Sequence, residues 1–288
     1  MPIQTTGTAQ GTAPGAAPRP GRHQRRWVAR AIAGTAVVSG LLLSSVPAHA
    51  LPSGYAGATP VTGTDRSFQA NNGINLNYHY FAEGVDFTRP SGAVFFFDGD
   101  GTTRFDQPDS EFIQQMADEA AAANKAFVFV EAPGGTHSWR SGDTDRTAEA
   151  VRQFASTNIL PTVDAPVLLS GYSGGAEFLV SGILDENADL LPAGSGALLI
   201  GGGGTYGRDI EPATDATRGL DLSWVVGEQD GAGATEVGGW SALGVTDRAV
   251  DEFAQAGYGE ASHQVVGGDH RSYDIPALVS QELDGQAR

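Results

Sequence analysis

Apolar residues fall along the chain in three successive patterns, and their order predicts the architecture. Ser67 to Ala70 and Ile74 to Tyr80 alternate apolar and polar residues around Asn72-Gly73. Asn-Gly favours a tight two-residue turn, so this region is expected to open as an antiparallel hairpin. Six short runs follow that are mostly apolar at successive positions: Ala93 to Phe97, Ala126 to Val130, Val167 to Ser170, Ala197 to Ile200, Leu222 to Val226 and His263 to Val266. A strand with one wet face alternates, whereas a strand covered on both faces does not, so these runs predict a mostly parallel sheet. Between the runs the period lengthens to that of a helix. Asp109 to Ala123 carries Phe112, Ile113, Met116 and Ala120 on one stripe, with Asp109 as the expected N-cap and Asn124 as the stop. Val151, Phe154 and Ala155 mark a second helix, and Phe178, Leu179 and Ile183 a third. Val250, Phe253 and Ala254 before Gly257 mark a fourth, and Ile275, Leu278, Val279 and Leu283 a fifth. Strand alternates with helix, which predicts an α/β fold with helices on both faces of the central sheet.

The first 50 residues have a different character. They hold Arg19, Arg22, Arg25, Arg26 and Arg30 and no acid, and lead into an apolar stretch from Ala31 to Val46 that ends at Ala48-His49-Ala50. A basic head, a short apolar middle and small residues at the cleavage position make up an export signal. Gly34, Thr35, Ser39 and Gly40 interrupt the stretch, which falls short of the roughly 20 residues a membrane span needs. Arg25-Arg26 leaves twin-arginine export open beside the general route. Residues 1–50 are therefore expected to be removed, 51–66 to form a loop and 67–288 to form one domain of a secreted protein. Removal leaves 12 basic residues against all 34 acids, a formal charge of −22. Such a surface repels phosphate backbones and anionic lipid heads, which argues against nucleic-acid partners and stable membrane association. Cysteine is absent, so disulfides, thiolate catalysis and cysteine-held metals are excluded.

Candidate chemistry collects in loops that follow the predicted strands, where open α/β sheets bind their ligands. Gly171-Tyr172-Ser173-Gly174-Gly175 lies directly between an apolar run and a helix. The glycines give room for a sharp strand-to-helix turn that lifts a serine hydroxyl above the sheet and aims the N–H of Gly174 at a developing oxyanion. A serine needs a base to take its proton. Of the four histidines past residue 50, His79 sits in the alternating hairpin and His263 starts the last run, which are structural positions. His270, in a glycine-bearing loop after the last run, is the candidate base, with His137 as runner-up. Asp230, beyond the Leu222 to Gly227 segment, is the candidate acid that orients the histidine, ahead of Glu228, while Asp269 reads as a solvated loop acid. Tyr172, His137 and Trp139 are candidates for a substrate pocket.

On these residues the chain resembles the α/β-hydrolase family: a hairpin, then strand–helix units with Ser173, Asp230 and His270 in the family's order of nucleophile, acid and histidine. Within the family it is similar to compact secreted bacterial esterases and relatives of polyester depolymerases. The resemblance implies an α/β-hydrolase fold and cleavage of a carboxylic ester, the ester being the partner, without cofactor or metal. It also implies a second oxyanion donor in Phe97-Asp98-Gly99-Asp100-Gly101, from the N–H of Asp100 or Gly101. The same segment, Val94 to Thr102, resembles the first motif of haloacid dehalogenase-type phosphatases, with Asp98 and Asp100 working beside magnesium and Glu228 or Asp230 holding the ion. That family needs a lysine between its serine and its metal carboxylates, yet the only lysine, Lys125, precedes Ser170. The last alternative is a non-catalytic module that binds a partner through a hydrolase-like cleft.

Overall fold

The structure is a computed structural model that describes residues 61–134, 137–140, 142–184, 188–235, 239–259 and 261–286. The expected export signal and residues 51–60 of the expected loop lie outside the described residues, while the end of that loop, from Gly63 to Arg66, is strand rather than loop. The eight strands form one sheet in the order β1-β2-β4-β3-β5-β6-β7-β8. Strands β1 (Gly63–Gln69) and β2 (Asn75–Phe81) make the predicted antiparallel hairpin around Asn72-Gly73, and β2 pairs antiparallel with β4 (Lys125–Val130). From β4 onward through β3 (Gly92–Phe97), β5 (Val167–Tyr172), β6 (Gly196–Ile200), β7 (Asp221–Gly227) and β8 (Ala261–Val266), every pair is parallel.

Two apolar cores, one on each face, explain why the inner strands read as continuous runs. In β3, Ala93, Phe95 and Phe97 join one core, while Val94 and Phe96 point into the other; Val128 and Phe129 of β4 divide in the same way. The first core also takes Phe154 from α2 (Thr144–Phe154), Phe178 from α3 (Gly174–Phe178) and Phe253 from α4 (Ala242–Gln255). The second takes Ile113 and Met116 from α1 (Glu111–Ala122) and Ile275 and Val279 from α5 (Ile275–Gln286). Helix α2 runs on into a wide π turn over Ala155–Ile159, and α3 into another over Leu179–Leu184.

Two more expectations are corrected. Helix α1 begins one residue later than its sequence suggests, with Ser110 rather than Asp109 in the N-cap position, because Ser110 N–H closes a turn on Gln107 O before Gln114 N–H bonds Ser110 O. Strand β8 is not covered on both faces: it closes the sheet edge and leaves Val265 52% exposed. Among the described residues no helix is long and apolar enough to cross a membrane.

Candidate active site

Strand β5 delivers Ser173 into a conformation that side chains rarely adopt, with φ 51° and ψ −116°. The turn is held from below by Ser173 N–H donating to Ile200 O at 2.8 Å, and from above by Glu177 N–H donating to Ser173 O at 3.0 Å. The start of α3 lies so close to the end of β3 that a Cβ on residue 175 would collide with the Phe97 carbonyl, so only glycine lets helix and strand meet there. Sequence thus builds the strained turn locally, and packing keeps it. Strain of this kind, about 1–3 kcal/mol, persists where the surroundings over-determine it.

The loops after β7 and β8 are laced together: Glu228 N–H donates to Val266 O at 2.8 Å and Gln229 N–H to Gly268 O at 3.0 Å. This lacing carries Asp230 and His270 to one place. His270 Nδ1 lies 2.8 Å from Asp230 Oδ2, and His270 Nε2 lies 2.8 Å from Ser173 Oγ. Asp230 is fully buried and His270 nearly so. Glu228, the rival acid, is exposed. Asp269 accepts from Arg271 N–H at its own loop surface. The other histidines are engaged elsewhere: buried His79 bridges Asp65 N–H and Phe105 O and stacks on the Phe105 ring, and His263 faces Asp247 at 3.2 Å.

A phenol that the sequence did not single out completes the cluster. Tyr273 Oη donates to Asp230 Oδ2 at 2.6 Å and accepts from Gly227 N–H at 2.8 Å. Sequence reading missed it because Tyr273 is a lone aromatic in a polar loop, and its spacing from Asp230 has no regularity to detect. Tyr172 stacks on the His270 ring and donates to the His270 carbonyl at 2.5 Å. Burial pushes its phenol up to about 12. Trp240 stands edge-on to His270 at 5.3 Å and donates through Nε1 to Tyr206 Oη at 2.7 Å. Glu177, one turn past Ser173 and buried, has its carboxyl pushed up to about 7 by desolvation against hydrogen bonds from Tyr206 and from the Gly204 and Gly203 backbone.

The expected oxyanion donors separate. Gly101 N–H is already given to His137 O at 2.6 Å, which leaves Asp100 N–H as the second candidate beside Gly174 N–H. Trp139 N–H donates to Asp100 Oδ1 at 2.8 Å, and Trp139 Nε1 to Asp98 O at 2.8 Å, so the Trp139 loop braces the whole turn after β3. Asp98 is buried and accepts from Gly99 N–H, Thr102 Oγ1 and Arg104; burial nevertheless raises its carboxyl above the usual range.

The three residues expected in a substrate pocket are placed apart in role. Tyr172 is spent on His270, and Trp139 is 4% exposed and stacked on Phe178. His137 and Trp139 do line a cavity, but its volume of about 20 Å³ suits a single water, not an ester. Asp106, Glu131 and His137 each bring one donor atom to within 4.8 Å of the others, the one group among the described residues that could ligate a cation.

No family profile matches the chain, and no curated relative does. Solved structures do resemble it. A thermostable esterase superposes with a TM-score of 0.50 at 15% identity, over 79% of this chain and 60% of the esterase, so the chain matches less than two thirds of that protein's length. An α/β serine hydrolase homologue from Coxiella burnetii superposes with a TM-score of 0.50 at 12% identity, over 80% of this chain and 100% of the homologue. At such identities the likeness speaks for the architecture alone. Together with the strand order and the turn at Ser173, it identifies the fold of this chain as the α/β-hydrolase fold.

Proposed function

We propose that the chain is a serine hydrolase that cleaves carboxylic esters through an acyl-enzyme on Ser173. The observation that carries this reading is the unbroken line of hydrogen-bonding atoms from Ser173 Oγ through His270 to Asp230, with 2.8 Å at each step. Ser173 Oγ attacks the ester carbonyl while His270 Nε2 takes its proton. Asp230, buried against Nδ1, holds the ring in the tautomer that leaves Nε2 free to accept and offsets the charge of the imidazolium. Gly174 N–H and Asp100 N–H receive the oxyanion. His270 returns the proton to the leaving alcohol, then activates the water that frees the acid. The fold alone is shared with known esterases, so the ester class is part of the proposal. Secretion belongs to the same proposal and is supported by the N-terminal pattern.

The phosphatase reading has no observation in its favour, since Asp98 is tied to Arg104 and Thr102 and Asp100 Oδ1 to Trp139 N–H. For the binding-module reading, the aligned relay would be an idle expense. The test is hydrolysis of p-nitrophenyl butyrate by the purified protein with and without a chelator, beside Ser173→Ala. Wild-type activity should survive the chelator and vanish in the alanine variant. Undiminished hydrolysis by Ser173→Ala would refute the proposal, and phosphatase activity restored by magnesium would favour Asp98.

A further inference from the structure

We propose that Tyr273 is a positioning residue that tunes the basicity of His270 through Asp230, an inference that rests on the acyl-enzyme reading above. The phenol is fixed between two partners. Gly227 N–H, at the end of β7, donates to Tyr273 Oη at 2.8 Å, and the phenol in turn donates to Asp230 Oδ2 at 2.6 Å. That same oxygen faces His270 Nδ1 at 2.8 Å, while Asp230 Oδ1 has no partner among the described residues. Two donors therefore share the charge of one carboxylate oxygen. Charge drawn toward the phenol is withheld from the imidazolium that forms when His270 accepts the serine proton, so Tyr273 makes His270 less basic.

The ring has little freedom to leave. It stands edge-on to Tyr172 at 6.0 Å and to His270 at 6.4 Å. Burial and the Asp230 carboxylate push its ionisation far above the ordinary phenol range, so it remains a donor wherever the enzyme works. Four side chains besides Tyr273 face His270 among the described residues. Asp230 comes from the loop after β7, Ser173 from the turn after β5 and Tyr172 from β5 itself, with uncharged Trp240 leading into α4. The charges of Asp98, Arg104 and Arg271 act around Tyr172. Among these, Tyr273 shares the carboxylate oxygen that His270 uses.

The experiment is the pH dependence of kcat/KM for p-nitrophenyl butyrate in wild type, Tyr273→Phe and a variant carrying 3,5-difluorotyrosine at 273, after wild type has been shown to label at Ser173 with a fluorophosphonate. Phenylalanine keeps the ring and removes the donor, so the acid limb should move up by about one pH unit. Difluorotyrosine is a stronger donor and should move the limb down. A purely structural role would lower the melting temperature and leave both limbs in place, and that outcome overturns the proposal. If Tyr273→Phe fails to fold, the direction of the difluorotyrosine shift decides alone. Absence of Ser173 labelling in wild type would sink the acyl-enzyme reading and this proposal with it; labelling with unmoved limbs sinks the proposal only.

Discussion

Adding one methyl group at residue 174 tests the proposed oxyanion hole. A Cβ there would lie 2.5 Å from Asp100 Oδ1 and 2.8 Å from Oδ2, so the Asp100 carboxylate has to shift to admit it. The Asp100 carboxylate cannot retreat freely, because Trp139 N–H holds Oδ1 at 2.8 Å. Either that hydrogen bond to a charged group breaks, at about 1.5–3 kcal/mol, or the peptide after Ser173 shifts and its N–H leaves the oxyanion. Loss of one such donor costs about 2.7–4 kcal/mol, a hundredfold or more in kcat. Gly174→Ala should therefore lower kcat for p-nitrophenyl butyrate about 100-fold while KM changes little, since the ground-state ester gains little from the donor. Asp100→Ala removes the obstacle but keeps the backbone N–H. The double variant should recover about tenfold over Gly174→Ala, a coupling of about 1.4 kcal/mol in the double-mutant cycle. The four proteins would be compared by steady-state kinetics, with circular dichroism to show that each is folded. Wild-type kcat in Gly174→Ala, or strictly additive losses in the cycle, would refute the reasoning.

Two more outcomes follow from the same region. Ser173→Gly and Ser173→Ala both lose the hydroxyl that meets His270, but only glycine relieves the Cβ strain at φ 51°, so Ser173→Gly should melt about 2–4 °C above Ser173→Ala for each kcal/mol of strain released; equal or reversed melting temperatures would show that the turn is unstrained. Glu177 has its carboxyl raised from 4.5 to about 7 by burial. The fold therefore favours the protonated acid, and this contribution is fully present below about pH 4.5 and lost as pH rises to about 7, roughly 3 kcal/mol in all. Melting temperatures of wild type and Glu177→Gln measured from pH 4 to 8 should diverge across that window, with wild type falling more steeply; parallel curves would contradict it.

Most of the architecture was legible in the sequence because both faces of the sheet are covered. Phe95, Phe96 and Phe97 are all buried, alternately in the two cores, and nothing but a doubly covered strand tolerates three successive buried phenylalanines. Strand β8 differs from the expectation because only Val265-Val266 are apolar in a run that also holds Ser262, His263 and Gln264, and strand order, which is a tertiary fact, puts it at the edge. The Asn72-Gly73 hairpin and the Ser173 turn were readable because local steric rules fix them. Asp230 and Glu228, two residues apart, differ in that one is fully buried against His270 and the other exposed. The choice between Asp100 and Gly101 turned on where His137 O lies, and the role of Tyr273 on a contact 43 residues distant in sequence. Long-range hydrogen bonds of this kind leave no periodic trace.

In the proposed mechanism His270 and Asp230 make the Ser173 hydroxyl a nucleophile. Intact-mass analysis after exposure of the purified protein to a fluorophosphonate, followed by peptide mapping, tests it most directly. A single adduct on Ser173, with labelling slowed at least 1,000-fold in His270→Ala, is the predicted result. No adduct on the folded wild-type protein, an adduct on another residue, or labelling indifferent to His270 would contradict it.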